Sequence, residues 1–570
     1  MKAVLALVLI VLALPLTVRA SEIDTLVQQI KRTRNTSRGI SDDEQKIAGK
    51  LQAIGASAIP SLLPLLRDPN QNVRDAAAYV LRDMPGLREE HLAPLIEAYH
   101  RDHGGWVGPA IASIGTPDAI DFLVEELVRA RETENQTTWA IKLLGEKAIP
   151  PLLRVYQTNL GWDERLAQTM DHVFHELAAH AEPAVDPLRQ IVNDEKASTA
   201  RRIHAMRALG AIGLTAERAT PDLQKMQASA DPDLSAAAMG AILQMGGAAS
   251  APLLAESLVT AKEDSIRLLV LRDIASLHER GRAAGPTVVK YLSSANWEVR
   301  LCAVRTLGYI GYQESAGELI RLLGCVEDWR VVMSAAEALG RMEVKAALPA
   351  LTKVSQDHWF PPVRSAAITA LPAIRDRIHP KSRYPDDNFP LEFFDYWNAG
   401  LGMEILNDAD ANRIRFPIQA AKSEVPKAVL TKLEANGETR GIYCGLKVDG
   451  GYLVGRDSGE WGGDIVFIDD QGKSQMVLRE NTQAVYQTPN GILATTGLDH
   501  LGMNGGVLYR LEKNAAGQWQ GHPWRQLPGA PFFSRLLKDG RLLVNCDGGI
   551  VVVSPNGDMQ LLTRKEVLKP

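Results

Sequence analysis

The sequence predicts a multidomain α + β chain: an α-solenoid of helix-pair repeats followed by an antiparallel β domain of blade-like four-stranded units. Three observations carry this. A pattern with a period of about 32 residues runs through the middle of the chain. Near His379-Pro380 the helical pattern stops. Beyond Gly441 short β-branched runs alternate with Asp-Gly and Asn-Gly turns, the strongest short-range hairpin signal.

The 570 residues are 45% apolar and 23% charged, an ordinary globular composition with room for two or three domains. The formal net charge is −5, with no basic run and no acidic tail. No nucleic acid or anionic membrane partner is therefore expected.

Taken from the start, Met1–Ala20 reads MKAVLALVLIVLALPLTVRA. Lys2 supplies a positive start, Val4 to Leu14 an apolar stretch, and Val18-Arg19-Ala20 a small-residue cleavage site. The expectation for residues 1–20 is a signal peptide cleaved near Ala20. The mature protein is then periplasmic or secreted, with no membrane insertion after cleavage. Residues 21–55 are expected as an N-terminal helical cap, with Ser41-Asp-Asp-Glu44 as a capping box.

The repeats are expected over 56–376. NVRDAAAYVLRDM from Asn72, EVRLCAVRTLGYIG from Glu298 and PVRSAAITALPAI from Pro362 share one register, and RVVMSAAEALGRM from Arg330 matches its later positions. The first helix of a unit often opens with Ala-x-Pro, as in AIPSLLPLL and AIPPLLRVY, where a first-turn proline removes no helical hydrogen bond. The second is amphipathic: Val73, Ala76, Ala77, Val80 and Leu81 fall at helical spacing. One such pair cannot bury its own apolar face, so consecutive pairs must stack. These segments resemble HEAT repeats of the short, phycobilisome-lyase-like type. The resemblance implies a right-handed solenoid, and for most relatives a binding scaffold.

Residues 377–436 read as a mixed linker or cover segment. Residues 437–570 read as a β-propeller-like module of three blade units. GYLVGRDSGEWGGDIVFIDDQGKSQMVL, GILATTGLDHLGMNGGVLYRLEK and GRLLVNCDGGIVVVSPNGDMQLL align, each after one more strand. The module resembles C-terminal β-domains of bacterial proteins carrying GEWGG, TGL-x-HL and LPGAP segments, and that resemblance implies fold alone.

Candidate sites follow. The loops RDSGEWGG and GLDHLGMNGG offer Arg456, Asp457, Glu460, Trp461, Asp499, His500 and Asn504. Aligning their terminal Gly-Gly pairs superposes Asp457 on His500 and places both loops on one rim. Carboxylates, imidazole and indole suit a glycan, a peptide or a cation, and an acid–base pair for hydrolysis is conceivable. Asp, Asn and Gly also simply favour such turns. Trp297 and Trp329 sit at equivalent turns, with Trp359 nearby in the next repeat; stacking would align them as a ridge, a protein-binding edge or the seat of the β-module, unless each ring simply packs on its neighbouring repeat. Cys302 and Cys325 are nearly equidistant from one turn and are a disulfide candidate, with two buried free thiols as the alternative. Asp408, Asp410 and Asn412 begin a calcium-type spacing, but Arg413 and Gln419 stand where Gly and Glu belong.

HELAAH at 175–180 fails the HExxH zinc spacing by one residue. On one helix, His172, Glu176 and His180 would form a staggered solvated stripe. No metal site and no cofactor are expected. The reading is an exported, non-enzymatic scaffold that binds another protein through the solenoid. The rivals are a glycan or peptide receptor at the β-module rim, or an envelope hydrolase there.

Overall fold

A computed structural model describes residues 20–32, 40–102, 105–130, 136–158, 162–378, 425–426, 442–500 and 503–567. The calcium-type spacing at 408–412 lies outside them. The chain divides into two compact units, residues 1–253 and 254–570.

The first unit opens with a helix over 20–32 that buries Ile23, Leu26, Val27 and Ile30. The next helix, Asp42–Ile54, begins at the expected capping box. The Glu44 amide donates to Ser41 Oγ, and the Ser41 amide donates to Glu44 Oε2 at 2.8 Å. Helix pairs follow. First helices such as Ile149–Gln157 carry proline in the opening turn, after a short 3-10 turn. Second helices (Gln71–Arg82, Val107–Ile114, Gln136–Leu144, Glu164–Leu177, Thr199–Ile212, Pro232–Met245) pack each on the next. Alanines and leucines from both layers make one continuous core.

HELAAH is not one helix. The helix ends at Leu177, Ala178 takes φ 45°, and a 3-10 segment runs over Ala178–Ala184. His180 therefore leaves the stripe of His172 and Glu176, and the Glu176 carboxylate is already paired with Lys142 at 2.6 Å.

In the second unit the helix pairs continue through Trp297–Tyr309 and Trp329–Arg341 to the last helix, Pro361–Asp376. Close approach governs this stack. A Cβ on Gly308 would lie 2.7 Å from the Ala338 Cβ, and one on Gly340 would lie 2.8 Å from the Ala370 Cβ. Cys302 and Cys325 are free thiols, so the expected bridge is not formed. Cys302 is buried within the helix beside Thr306, and burial pushes its thiol up to about 12. Cys325 sits in the turn after Ala316–Leu322, and its Sγ lies 3.3 Å from Glu327 Oε2.

Among the described residues, three four-stranded antiparallel sheets complete this unit, with no closed barrel. They comprise β1 (Ile442–Val448), β2 (Gly451–Asp457), β3 (Gly463–Asp469) and β4 (Ser474–Leu478), then β5 (Thr482–Thr488), β6 (Gly491–His500), β7 (Met503–Lys513) and β8 (Trp519–Gln526), then β9 (Pro531–Leu536), β10 (Leu542–Cys546), β11 (Gly549–Val553) and β12 (Met559–Leu562). Each sheet is a meander in chain order. Asp449-Gly450 makes a two-residue hairpin because Gly450 takes φ 83°. The sheets stack in series, with β1 against β5 and β5 against β9. Leu446, Leu453 and Ile465 meet Val485, Ala494 and Leu511 between the first two sheets. Leu493 and Leu508 meet Val544 and Val551 between the second and third. From the 377–436 segment, Val425 packs on Val454, Val466 and Ile468 of the first sheet.

Candidate functional site: the rim of the β-module and the tryptophan seat

The rim is built by strand ends. Pairing of β2 with β3 stops at Asp457 and Gly463, which leaves a five-residue loop over 458–462. Pairing of β6 with β7 runs on to His500 and Met503. Counted from Gly451 and Gly491, the glycines that open β2 and β6, Asp457 corresponds to Gly497 rather than to His500. The longer second hairpin is the reason. Its tip reaches the first loop, where His500 Nε2 lies 2.6 Å from Glu460 Oε2. That contact is an ion-pair approach rather than an aligned hydrogen bond, because Nε2 finds no partner in good donor geometry.

The seven rim residues separate into holders and presented groups. Arg456 pairs with Asp464, whose side chain is buried. Asp457 accepts from the Gly459 amide at 2.9 Å and from Gln483 Nε2 at 3.1 Å, so both its oxygens are engaged. That occupation leaves it a loop brace rather than a free acid or base. Asn504 donates to the Asp547 carboxylate and accepts from the Ala530 amide at 2.8 Å. Glu460 and Asp499 are exposed, His500 is half-buried, and Trp461 is 79% exposed.

Sequence reasoning missed Asn481, Gln483 and Asp547. Asn481 donates to the Gly459 carbonyl at 2.8 Å and accepts from the Ser458 amide, while Gln483 joins Asp457 to the Gly497 carbonyl. These contacts cross between sheets, so no local pattern announces them. Asp547 had a signal, since CDGG occupies the corresponding β10–β11 turn. Burial, reinforced by the Asp499 charge, raises its carboxyl above the usual range.

The tryptophans occupy a second place. Trp329 is 6% exposed, and its indole N–H donates to the Leu527 carbonyl, at the end of β8, at 3.1 Å. The Gln526 amide donates to the Glu327 carbonyl at 2.8 Å. Trp359 packs with Leu493, Leu508 and Leu527, and Phe360 bridges it to Trp329 at ring separations of 5.0 and 4.6 Å. Trp297 is 37% exposed and carries the Arg330 guanidinium 3.6 Å from its ring centroid. Arg330 is buried and paired with Asp328 through two hydrogen bonds of 2.8 and 2.9 Å. Two of the three rings therefore seat the β-module on the last repeats. They do not form an open ridge, because indole burial against the sheet ends outweighs exposure.

Among the described residues, no group of three or more His, Cys, Asp or Glu side chains is placed to hold a metal ion. No single described helix is long and apolar enough to cross a membrane.

Residues 285–372 match the family model described as HEAT repeats, and residues 58–84 match the one described as HEAT repeat. The described residues form an α-solenoid of helix pairs, with HEAT-repeat matches over those two segments, followed by three antiparallel sheets. Similar solved structures include human deoxyhypusine hydroxylase in complex with glycerol, at 18% identity and TM-score 0.20, covering 45% of this chain and 98% of that one. Kap121p bound to Nup53p is 15% identical with TM-score 0.31, covering 70% of this chain and 44% of that one. Kap121p bound to Pho4p is 12% identical with TM-score 0.36, covering 76% and 51%. No curated protein matches the sequence.

Proposed function

We propose that the protein is an exported, non-enzymatic scaffold that holds another protein on the second-helix layer of its first unit. Stacked helix pairs present a long side-chain surface of the kind solenoids use for partners. One observation carries the reading. Tyr79 of Gln71–Arg82, Trp106 at the N-cap of Val107–Ile114 and Trp139 of Gln136–Leu144 come from three successive repeats, with ring centroids 5.2 and 5.8 Å apart. The Arg82 guanidinium lies 4.5 Å from Tyr79 and 5.6 Å from each tryptophan. All four side chains are half-buried rather than enclosed. Tyrosine, tryptophan and arginine are the residue types that dominate binding hot spots, and here they are pre-organised across the stack. In the second unit, by contrast, Trp297–Tyr309 and Trp329–Arg341 are buried along almost their whole length.

Export rests on the N-terminal reading. It is compatible with the fold, since the four core-facing residues of the first helix all follow position 20.

Affinity capture from the native envelope, followed by mass spectrometry, tests the proposal. Trp139→Ala and Arg82→Ala should each weaken capture of the partner about tenfold or more, a hot-spot effect. Asp457→Asn and His500→Gln should leave it intact. Capture that survives the first pair and fails with the second moves the binding site to the rim.

A further inference from the structure

The rim loop has a construction that turn chemistry alone does not call for. Its tip is an indole 79% exposed to solvent, yet the loop beneath is tightly held. The Ser458 amide donates to the Gly462 carbonyl at 3.1 Å, and the Trp461 amide to the Ser458 carbonyl at 3.3 Å. The Asn481 side chain bonds Ser458 and Gly459, and Asp457 caps Gly459. Gly463 closes the base, where a Cβ would lie 2.4 Å from the Arg456 carbonyl oxygen. A loop this braced cannot fold its indole back onto the module to escape water.

We propose that Trp461 and Glu460 form a binding site for a neutral saccharide, with the sugar ring stacked on the indole and its hydroxyls bonded to the Glu460 carboxylate, which His500 holds in place.

The chemistry around the indole selects this ligand. A protein or apolar-peptide partner would require further apolar surface beside the ring. Along this loop the neighbours of Trp461 are instead Ser458, Gly459, Glu460 and Gly462. A pyranose has one C–H face, carrying slight positive charge, that suits the negative face of an indole, and an equator of hydroxyls that needs donors and acceptors. Glu460 is exposed and offers carboxylate acceptors, while His500 Nε2 is enclosed against Glu460 Oε2 and steadies that carboxylate. Charge narrows the class further. Glu460 and Asp499 are exposed and Asp547 lies close by, so an anionic sugar would be repelled. The site goes beyond the scaffold reading and does not depend on it.

The test is saturation-transfer NMR and titration calorimetry on the full chain, with chitotetraose and cellotetraose as neutral probes and tetragalacturonate as an acidic comparator. One or both neutral probes should saturate below about 10 mM, the weak range of a shallow site. Trp461→Ala should weaken that binding about tenfold, Trp461→Phe should retain part of it, and Glu460→Gln should weaken it severalfold. Because Trp461 touches water rather than core, its variants should keep the parent melting temperature. Three results would each overturn the proposal: no saturation by either neutral probe, saturation indifferent to Trp461→Ala, or binding of tetragalacturonate alone.

Discussion

His358 shows how one side chain records its surroundings. It follows the helix Leu348–Asp357, and its Nδ1 accepts from the Phe360 amide at 3.1 Å. Its ring stacks on Trp359 at 5.8 Å. Burial lowers its pKa to about 4, with Arg364 adding to the effect. The unfolded chain titrates near 6.5, so between the two values only the unfolded state takes up the proton. Stability is therefore undiminished above about pH 7 and is lost as pH falls from about 6.5 toward 4, by on the order of 2–3 kcal/mol. Urea unfolding at pH 7, 5.5 and 4.5 measures it. His358→Asn keeps an acceptor for the Phe360 amide and should remove this part of the pH dependence. A parent and variant that lose stability in parallel would refute the assignment.

At the scale of the element, the stack depends on how closely second helices approach. Gly308 faces Ala338, and Gly340 faces Ala370, at distances that leave no room for a methyl group. Gly308→Ala raises helix propensity, by about 1 kcal/mol on its own. Overpacking costs about 1–3 kcal/mol, and the neighbouring backbone must move as well, so the net effect should be destabilising. Thermal denaturation of Gly308→Ala and Gly340→Ala should show lower melting temperatures, while Gly317→Ala, with nothing near its Cβ, should not. A rise in melting temperature for Gly308→Ala would mean that the helices have slack. Sequence legibility followed the same physics. The capping box at Ser41 and the prolines of the first helices act through backbone only a few residues away, so they were readable. The end of HELAAH at Leu177 was not. Nothing between Glu176 and His180 signals a stop, and the fold imposes φ 45° on an alanine to turn the chain into the next repeat.

For the second unit as a whole, the seat of the β-module is the feature that joins all-α to all-β. Trp329 contributes both ring burial and the bond to the Leu527 carbonyl. Trp329→Ala should cost about 3–5 kcal/mol, from lost packing and an unsatisfied buried carbonyl. Trp329→Phe should cost less, because most of the packing stays. In calorimetry the last repeats and the sheets of the parent should unfold in one transition, and Trp329→Ala should split it. A single transition in the variant would show that the other contacts suffice.

What the sequence by itself determined is periodic: about 32 residues per helix pair, alternation along strands, glycine turns between them. Those patterns are local, and each repeat needs only its neighbours to become a fold. Tertiary structure alone decided what each exposed-looking residue does. It turned Trp329 and Trp359 inward as a seat, and left Cys302 and Cys325 unbridged in separate surroundings. It also made Asp457 and Asn504 into braces and set His500 against Glu460, leaving Glu460 and Trp461 presented. Those outcomes depend on contacts between sheets and between sheet and helix, whose partners lie tens to about two hundred residues apart in the chain, beyond the reach of any local pattern.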